Sequence, residues 1–313
     1  MDFANHPRFT EIYPADTYEL PEPSFYVSGR SGEARSLHSS ELASRCPTSV
    51  FVEVEERERG QIVIVGDGPE TMIPLRSTVG LVEFWKRTAT PCYLDITGLT
   101  HPAWAPLLKG ALVAGVDIRV VYVEPIRYRF NRIRTQGELF DLSVGFQGIG
   151  PLPGFLSLAE PSEDDVLFIP LLGFEGPRFS MVLNHVEVPR DRILPIIGVP
   201  GFQPEFVFYA YQGNRLPLEE TRSWMTVQYA AANCPFSLYY ALEKISIQNQ
   251  QSFMRIAPIG TKPHSVGAVL FALAHPDRVE LIYDHPVRRK ARTSGVARLL
   301  VYHVSALRQR LQL

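Results

Sequence analysis

Two stretches of the chain share one rhythm of apolar and polar positions. Short apolar runs at Tyr93–Ile96 and Phe253–Ile259 are each followed by glycine, the pattern of buried strands bounded by turns. Thr100 and Thr261 then stand where helix N-caps belong, with Pro102 and Pro263 tolerated in the first turn. Apolar positions at three- and four-residue spacing carry the predicted helices to Ala114 and Ala274. Fresh apolar runs at Ile118–Val123 and Val279–Tyr283 supply the next strands and close at Pro125 and Pro286. Strand, helix and strand make a βαβ unit, which predicts parallel strands joined by a right-handed crossover.

The two stretches align without a gap at a constant offset of 161. Thr100 falls on Thr261, Pro102 on Pro263, Ala111 on Ala272, Leu112 on Leu273, Tyr122 on Tyr283, Pro125 on Pro286 and Arg127 on Arg288. Upstream, Phe25–Gly32 corresponds to Phe168–Gly176, each an apolar run entering a G-x-x-G turn. Gly29 and Gly32 match Gly173 and Gly176 at an offset of 144, which also sets Val50–Val54 against Leu194–Gly198. The change of offset implies 17 extra residues in the second half, placed between Gly201 and Asn233. The fold expected is α/β, two tandem Rossmann-like, parallel-sheet units related by internal duplication. Unit 1 is assigned to residues 1–150 and unit 2 to residues 151–313, with the Gly- and Pro-rich segment Gly145–Gly154 read as the linker.

Composition narrows the field without naming a function. The chain has 313 residues, 45% apolar and 20% charged, which excludes global disorder and fits two domains of ordinary size. A formal charge of −2 excludes a chain that is basic overall, so any phosphate or nucleic-acid site must be a local patch. Cys46, Cys92 and Cys234 lie far apart, with no disulfide framework and no zinc-ribbon spacing; reduced thiols and a cytoplasmic location are expected. No apolar run approaches the ~18 residues of a membrane helix, and the N-terminus lacks a secretory pattern, so no membrane partner is expected.

In an open parallel sheet, ligands bind beyond the carboxyl ends of the strands, near helix N-termini. Thr261 and Lys262 fall at such a place. A cation is the wrong charge beside a helix N-terminus and becomes the right one when an anion sits there. His101 holds the matching position in the first half. The G-x-x-G turns admit either close backbone approach to a ligand or a plain tight turn. Arg127, Arg129, Arg132 and Arg134 in one half, and Arg288, Arg289, Lys290 and Arg292 in the other, form basic clusters suited to phosphate, nucleic acid or an acidic partner. Asp95, Glu124, Asp284 and His285 lie at strand ends as possible acids and bases, or as polar residues that satisfy the turns. Walker-type, G-x-S-x-G and H-E-x-x-H patterns do not occur, and the eight histidines show no ligand spacing, so neither a cofactor nor a metal is expected.

The segment IAPIGTKPHSVGAVLFAL, Ile256 to Leu273, resembles the second signature of CARF-type Rossmann-like sensor domains, in which a strand ends in a Gly-Thr-Lys turn that starts a helix. Tyr93 to Leu112 looks like a worn copy, with His101 where the lysine would stand. The Gly173–Gly176 turn sits where that family places its other ligand loop. The duplicated plan is similar to the SAVED domains of bacterial cyclic-oligonucleotide defence systems. The likeness covers less than half of the chain and departs from the pattern at His101 and in the Pro-rich stretch from Pro195 to Pro217.

The resemblance implies a sensor of a nucleotide or cyclic oligonucleotide, serving antiviral defence together with a separate effector protein. The candidate ligand-binding residues are Gly29, Gly32, Thr100 and His101 in one half and Gly173, Gly176, Thr261 and Lys262 in the other, with Arg127 and Arg288 in second rank. Two alternatives stand beside it. One is a nucleotide-processing enzyme, a hydrolase or nucleotide-sugar transferase, working in a cleft between the units. The other is an interaction subunit that holds nucleic acid or an acidic protein through its arginines.

Overall fold

A computed structural model of the chain describes residues 9–31, 33–58, 60–66, 70–86, 91–135, 138–159, 161–250 and 252–313. These divide into two compact units. Unit 1 contains residues up to Arg127 together with Thr293–Leu311 and Leu313; unit 2 contains Tyr128–Arg292 and Gln312. The division differs from a simple cut at residue 150, for reasons that lie in strand pairing and are given below.

Unit 1 opens with β1 (Thr10–Pro14), β2 (Phe25–Ser28), α1 (His38–Arg45) and β3 (Val50–Arg57). The antiparallel strands β4 (Gln61–Val65) and β5 (Thr71–Pro74) follow, then α2 (Thr78–Lys86). The first βαβ repeat is β6 (Cys92–Asp95), α3 (His101–Ala114) and β7 (Ile118–Val123). Its strands are parallel neighbours, as their apolar runs predict. All four residues of β2 and of β6 are buried, which is why these segments read as continuous apolar runs rather than alternating ones. Tyr26, Tyr93, Val121 and Leu299 belong to the unit's core. On the other side of the repeat α3 packs against α2, where the Trp85 indole donates to the Leu107 carbonyl at 2.9 Å.

The chain passes through β8 (Arg127–Tyr128) into the hairpin of β9 (Phe130–Thr135) and β10 (Glu138–Phe140), then β11 (Ser143–Phe146) and β12 (Gly150–Pro151). The main body of unit 2 is β13 (Val166–Leu172), α4 (Gly176–Val186), β14 (Ile196–Gly198), α5 (Phe206–Gly213), α6 (Arg215–Thr221), β15 (Gln228–Ala230) and α7 (Pro235–Gln248). The second repeat is β16 (Phe253–Ala257), α8 (Lys262–Ala274) and β17 (Val279–Tyr283), again with parallel neighbouring strands. Then come β18 (Pro286–Arg288), β19 (Thr293–Ser294) and β20 (Arg298–Tyr302). Every residue of α8 is buried, so its sequence is apolar all round and its amphipathic stripe is faint.

The two sheets share a core topology. The eight-stranded sheet of unit 1 runs β1-β20-β7-β6-β2-β3-β4-β5, and the six-stranded sheet of unit 2 runs β12-β17-β16-β13-β14-β15. Within them β7-β6-β2-β3 and β17-β16-β13-β14 have the same order, and all are parallel. The register matches in one pair, with Phe25 facing Val50 and Leu171 facing Ile196, and shifts in the others: Cys92 faces Ile118 where Met254 faces Val279. The insertion expected between Gly201 and Asn233 contains α5, α6 and β15, where unit 1 carries β4 and β5 instead.

Edge strands explain the boundary. β20 pairs antiparallel with both β7 and β1, which draws the end of the chain back into unit 1. β11 pairs with β18 and β12 with β17, so residues 143–151 complete unit 2 and do not act as a linker. Pro151 is compatible with this position because β12 is an edge strand.

Glycines mark where backbones meet. A Cβ on Gly176 would lie 2.0 Å from the Gly213 carbonyl oxygen, an overlap that backbone movement alone could relieve. Gly145, by contrast, has open space where its Cβ would be. Gly176→Ala is therefore expected to destabilise the protein by about 3 kcal/mol and Gly145→Ala to stay within about 0.5 kcal/mol of wild type, measured by denaturant unfolding.

Candidate functional site

In unit 2 the sequence-marked residues gather at the carboxyl ends of β13 and β16. Thr261 is the N-cap of α8: its side chain accepts from the His264 amide at 3.3 Å, and its hydroxyl donates to the Ala232 carbonyl at 2.8 Å. Lys262, the first residue of α8, is only 6% exposed. A buried ammonium at the positive end of a helix is electrostatically unfavourable unless negative groups lie close by. Gly173 abuts the turn beyond β16, where its Cβ would be 3.1 Å from the Ile259 carbonyl oxygen. Asn214 fastens the same turn, donating to the Gly173 carbonyl at 2.7 Å and to that of Ala210 at 2.8 Å. The first glycine of this G-x-x-G turn thus meets neighbouring backbone, and the second meets Gly213.

Beneath the turn lies a buried ion pair. Arg178 in α4 donates through Nε to Asp284 Oδ2 at 2.7 Å and through Nη2 to Oδ1 at 2.6 Å, a two-pronged geometry. Its Nη1 donates to the Ile259 carbonyl at 2.9 Å, and the guanidinium carbon lies 5.8 Å from the centre of the Tyr283 ring. Burial works to lower the Arg178 pKa, but the Asp284 carboxylate outweighs it and raises the value. Asp284 is wholly buried and committed to this pair. The adjacent His285 is shifted down by burial, with Asp284 partly opposing.

Unit 1 carries a related arrangement with different chemistry. His38, at the start of α1, donates from Nε2 to Asp95 Oδ2 at 2.6 Å, and the Tyr26 hydroxyl donates to the same oxygen at 3.1 Å. The Thr97 amide holds Asp95 Oδ1 at 2.8 Å. Burial alone would raise the Asp95 carboxyl; His38 and the hydrogen bonds from His38 and Thr97 outweigh it and hold the group below its ordinary value. With Nε2 given to Asp95, His38 Nδ1 is left buried with no hydrogen-bond partner, and the residue lines a cavity of about 320 Å³ together with Asp16, Ala34 and Glu41. Nearby Arg35 donates to Glu33 Oε2 at 2.7 Å, to the Tyr122 hydroxyl at 2.9 Å and to the Val123 carbonyl at 2.8 Å. Arg35 lies 5.3 Å from the centre of the Tyr122 ring, so both tyrosines matched by the 161 offset lie beneath a buried arginine.

The first turn of α3 already holds an anion. The Thr100 amide donates to Glu56 Oε1 at 2.7 Å, and the Thr100 hydroxyl donates to the other carboxylate oxygen of Glu56. Two donors at a helix N-terminus thus hold one oxyanion, as the exposed amides and macrodipole there favour. His101 is buried, with its ring tilted against Trp104 at 5.3 Å between centroids. Gly29 abuts the turn after β6, where a Cβ on Gly98 would overlap the Gly29 carbonyl. Gly32 lies outside the described residues. Arg127 is exposed at the end of unit 1, whereas Arg288 lies in β18 of unit 2.

The structure therefore collects Gly173, Gly176, Thr261 and Lys262 at the carboxyl ends of two central strands of unit 2, and Gly29, Thr100 and His101 in unit 1. It separates Arg127 from Arg288 by unit. Glu124, weighed as an acid, is buried and receives Arg298 Nε at 2.8 Å; burial raises its pKa and Arg298 partly offsets this. Sequence reasoning passed over His38, Glu56, Arg35 and Arg178. The two arginines follow closely on Gly32 and Gly176, the one signal that could have found them; His38 and Glu56 carry no local pattern. Among the described residues no group of three or more His, Cys, Asp or Glu is placed to hold a metal ion, and no helix is long and apolar enough to cross a membrane. No family model matches the chain, and no curated protein shows significant similarity to it.

His264, fully buried beneath the Thr261 turn, donates from Nε2 to the Ala231 carbonyl at 3.1 Å. Burial lowers its pKa to about 4 against an ordinary 6.5, with the carbonyls of Ala231 and Ala230 partly opposing. As pH falls through about 6.5 the unfolded chain takes up a proton that the folded chain refuses until about 4. The stability due to neutral His264 is thus complete above that window and declines within it, by about 3 kcal/mol in all. Unfolding curves taken across this range should show His264→Gln, which keeps an N–H donor, losing less stability on acidification than wild type.

Proposed function

We propose that the protein binds a nucleotide or another phosphorylated ligand through the Thr261–Lys262 turn of unit 2, and acts as a sensor that works with a separate effector. The observation that carries this reading is the Glu56 carboxylate seated on Thr100. At the topologically equivalent turn of unit 1, this strand–turn–helix geometry takes an oxyanion with two hydrogen bonds. Unit 2 repeats the turn with Lys262 in place of His101. The shared strand order of the two sheets supports an internal duplication. Cyclic oligonucleotides and a defence role belong to this reading through the likeness of Ile256–Leu273 to CARF-type signatures.

A second reading is favoured by the His38–Asp95 pair. His38 Nε2 is engaged with Asp95, and Nδ1 has no hydrogen-bond partner in a residue that lines a cavity. That is the arrangement of a general base oriented by a carboxylate. Under this reading unit 1 processes a nucleotide, and Asp95 positions the base rather than meeting substrate.

Calorimetric titration with nucleoside phosphates and with short linear and cyclic oligonucleotides separates the two. On the sensor reading Lys262→Ala weakens the best ligand by about 1–3 kcal/mol, the range of a charged hydrogen bond, while the ligand is recovered intact by chromatography. Unchanged affinity in Lys262→Ala rejects the role of that turn. Turnover abolished by His38→Ala but retained in Lys262→Ala would establish the enzymatic reading instead.

A further inference from the structure

We infer that unit 1 carries a binding site for a small primary ammonium ligand in the cavity beside His38. Three stretches of the unit converge there: the turn after β1, the start of α1 and the segment that leads into β20. The cavity has a volume of about 320 Å³, at the lower end of the roughly 300–1,000 Å³ of sites that enclose a small molecule. Ala15, Ala34, Val296 and Ala297 give it small apolar walls. Among the described residues its polar lining is His38, Asp16 and Glu41. The inference is independent of the Thr261–Lys262 turn, and it shares the cavity of the second reading above but not its nucleotide.

His38 is the fixed point of the site. The residue is only 4% exposed, and its Nε2 is engaged with Asp95 Oδ2 at 2.6 Å. The Tyr26 hydroxyl donates to the same oxygen, and the Thr97 amide occupies Oδ1. Asp95 is thereby satisfied from within the protein and serves to position the ring. Nδ1, the other ring nitrogen, is buried with no hydrogen-bond partner among the described residues. A buried polar atom in that state is unfavourable, and a ligand that hydrogen-bonds to it removes the penalty.

The charges around the cavity select the ligand. Asp16 and Glu41 are exposed and take part in no ion pair among the described residues. No lysine or arginine among the described residues lines the cavity. Arg45, one turn along α1 from Glu41, directs its Nη2 to the Ala15 and Tyr18 carbonyls at 3.3 and 3.1 Å. A phosphate or carboxylate would meet two like charges here, whereas a cation is attracted by both. Among cations, a primary ammonium offers three N–H donors and no acceptor. Three groups of the lining can receive them: the carboxylates of Asp16 and Glu41, and His38 Nδ1 in the tautomer whose Nε2 proton points to Asp95. A quaternary ammonium matches the charge but has no N–H to donate, so comparing the two cations is diagnostic. The apolar walls suit a short alkyl chain.

The test uses the full chain at about pH 7.5, where an alkylammonium is fully charged. The probe is n-butylammonium, with tetramethylammonium as the charge-matched control and butyrate and AMP as anions. Binding is followed by nitrogen NMR of the His38 ring, assigned through its own backbone resonances. n-Butylammonium is expected to shift the Nδ1 signal saturably, and tetramethylammonium to bind at least about tenfold more weakly, as the loss of charged hydrogen bonds requires. Asp16→Asn/Glu41→Gln should weaken n-butylammonium at least about tenfold, and Lys262→Ala should leave it unchanged. Thermal melting checks that the carboxamide variant is folded, and the tetramethylammonium comparison in wild type needs no variant at all. No saturable shift, equal binding of tetramethylammonium, or full binding in Asp16→Asn/Glu41→Gln would each overturn the inference. A His38 shift produced by AMP and not by the amine would also overturn it, in favour of the nucleotide reading of this cavity; failure of the amine alone would leave that reading standing.

Discussion

A carboxylate buried at the end of a parallel strand must be matched within hydrogen-bonding distance, and both units are built around that constraint. Asp284 at the end of β17 is matched by Arg178 from α4, and Asp95 at the end of β6 by His38 from α1. Glu33 is shared by Arg35 and the Thr293 hydroxyl, and Glu124 is met by Arg298. Leaving any such charge unpaired would cost several kcal/mol, comparable to the whole stability of a domain. The matching fixes where α1 and α4 begin and how their first turns lie over the strands. These pairs also occupy much of the polar capacity at the sheet ends, so a ligand there must use the turns above them.

Those turns differ in what has been retained. Beyond β6 and β16 the backbones of consecutive turns come so close that only glycine fits, with Gly98 against Gly29 and Gly260 against Gly173. The helix that follows has a threonine at its N-cap in each case, and only Thr261 makes the side-chain capping bond. In unit 1 the donors face Glu56 and the neighbouring position is an imidazole packed on Trp104. In unit 2 the hydroxyl turns to Ala232 and the neighbouring position is a buried ammonium. One local geometry thus holds a carboxylate in one unit and a helix cap in the other.

The region that joins the two basic clusters follows a different logic. It exists because β18 leaves the sheet edge and pairs with β11, while the backbone of Arg129 pairs with that of Arg292. Phe140 and Leu142 behind it pack with Phe174 and Tyr209.

The βαβ repeats were legible from sequence because their signals are local. Apolar runs, a capping threonine and a proline in the first turn define Cys92–Val123 and Phe253–Tyr283, and both lie where the pattern placed them. The parallel pairing of β6 with β7 and of β16 with β17 followed from the same repeats. Pairing between remote segments was not legible, because a strand's sequence carries its burial but not its partner. The return of β20 to β7, the addition of β12 to β17 and the joining of two arginine clusters all depend on such pairing. For the site, sequence marked Thr261 and Lys262 through a contiguous motif, yet His38 and Asp95 are 57 residues apart and Arg178 and Asp284 are 106 apart. The sequence by itself determined which segments become strand, turn and helix. Only the tertiary structure decided which charges meet, because the free energy of a buried charge depends on its neighbours in space.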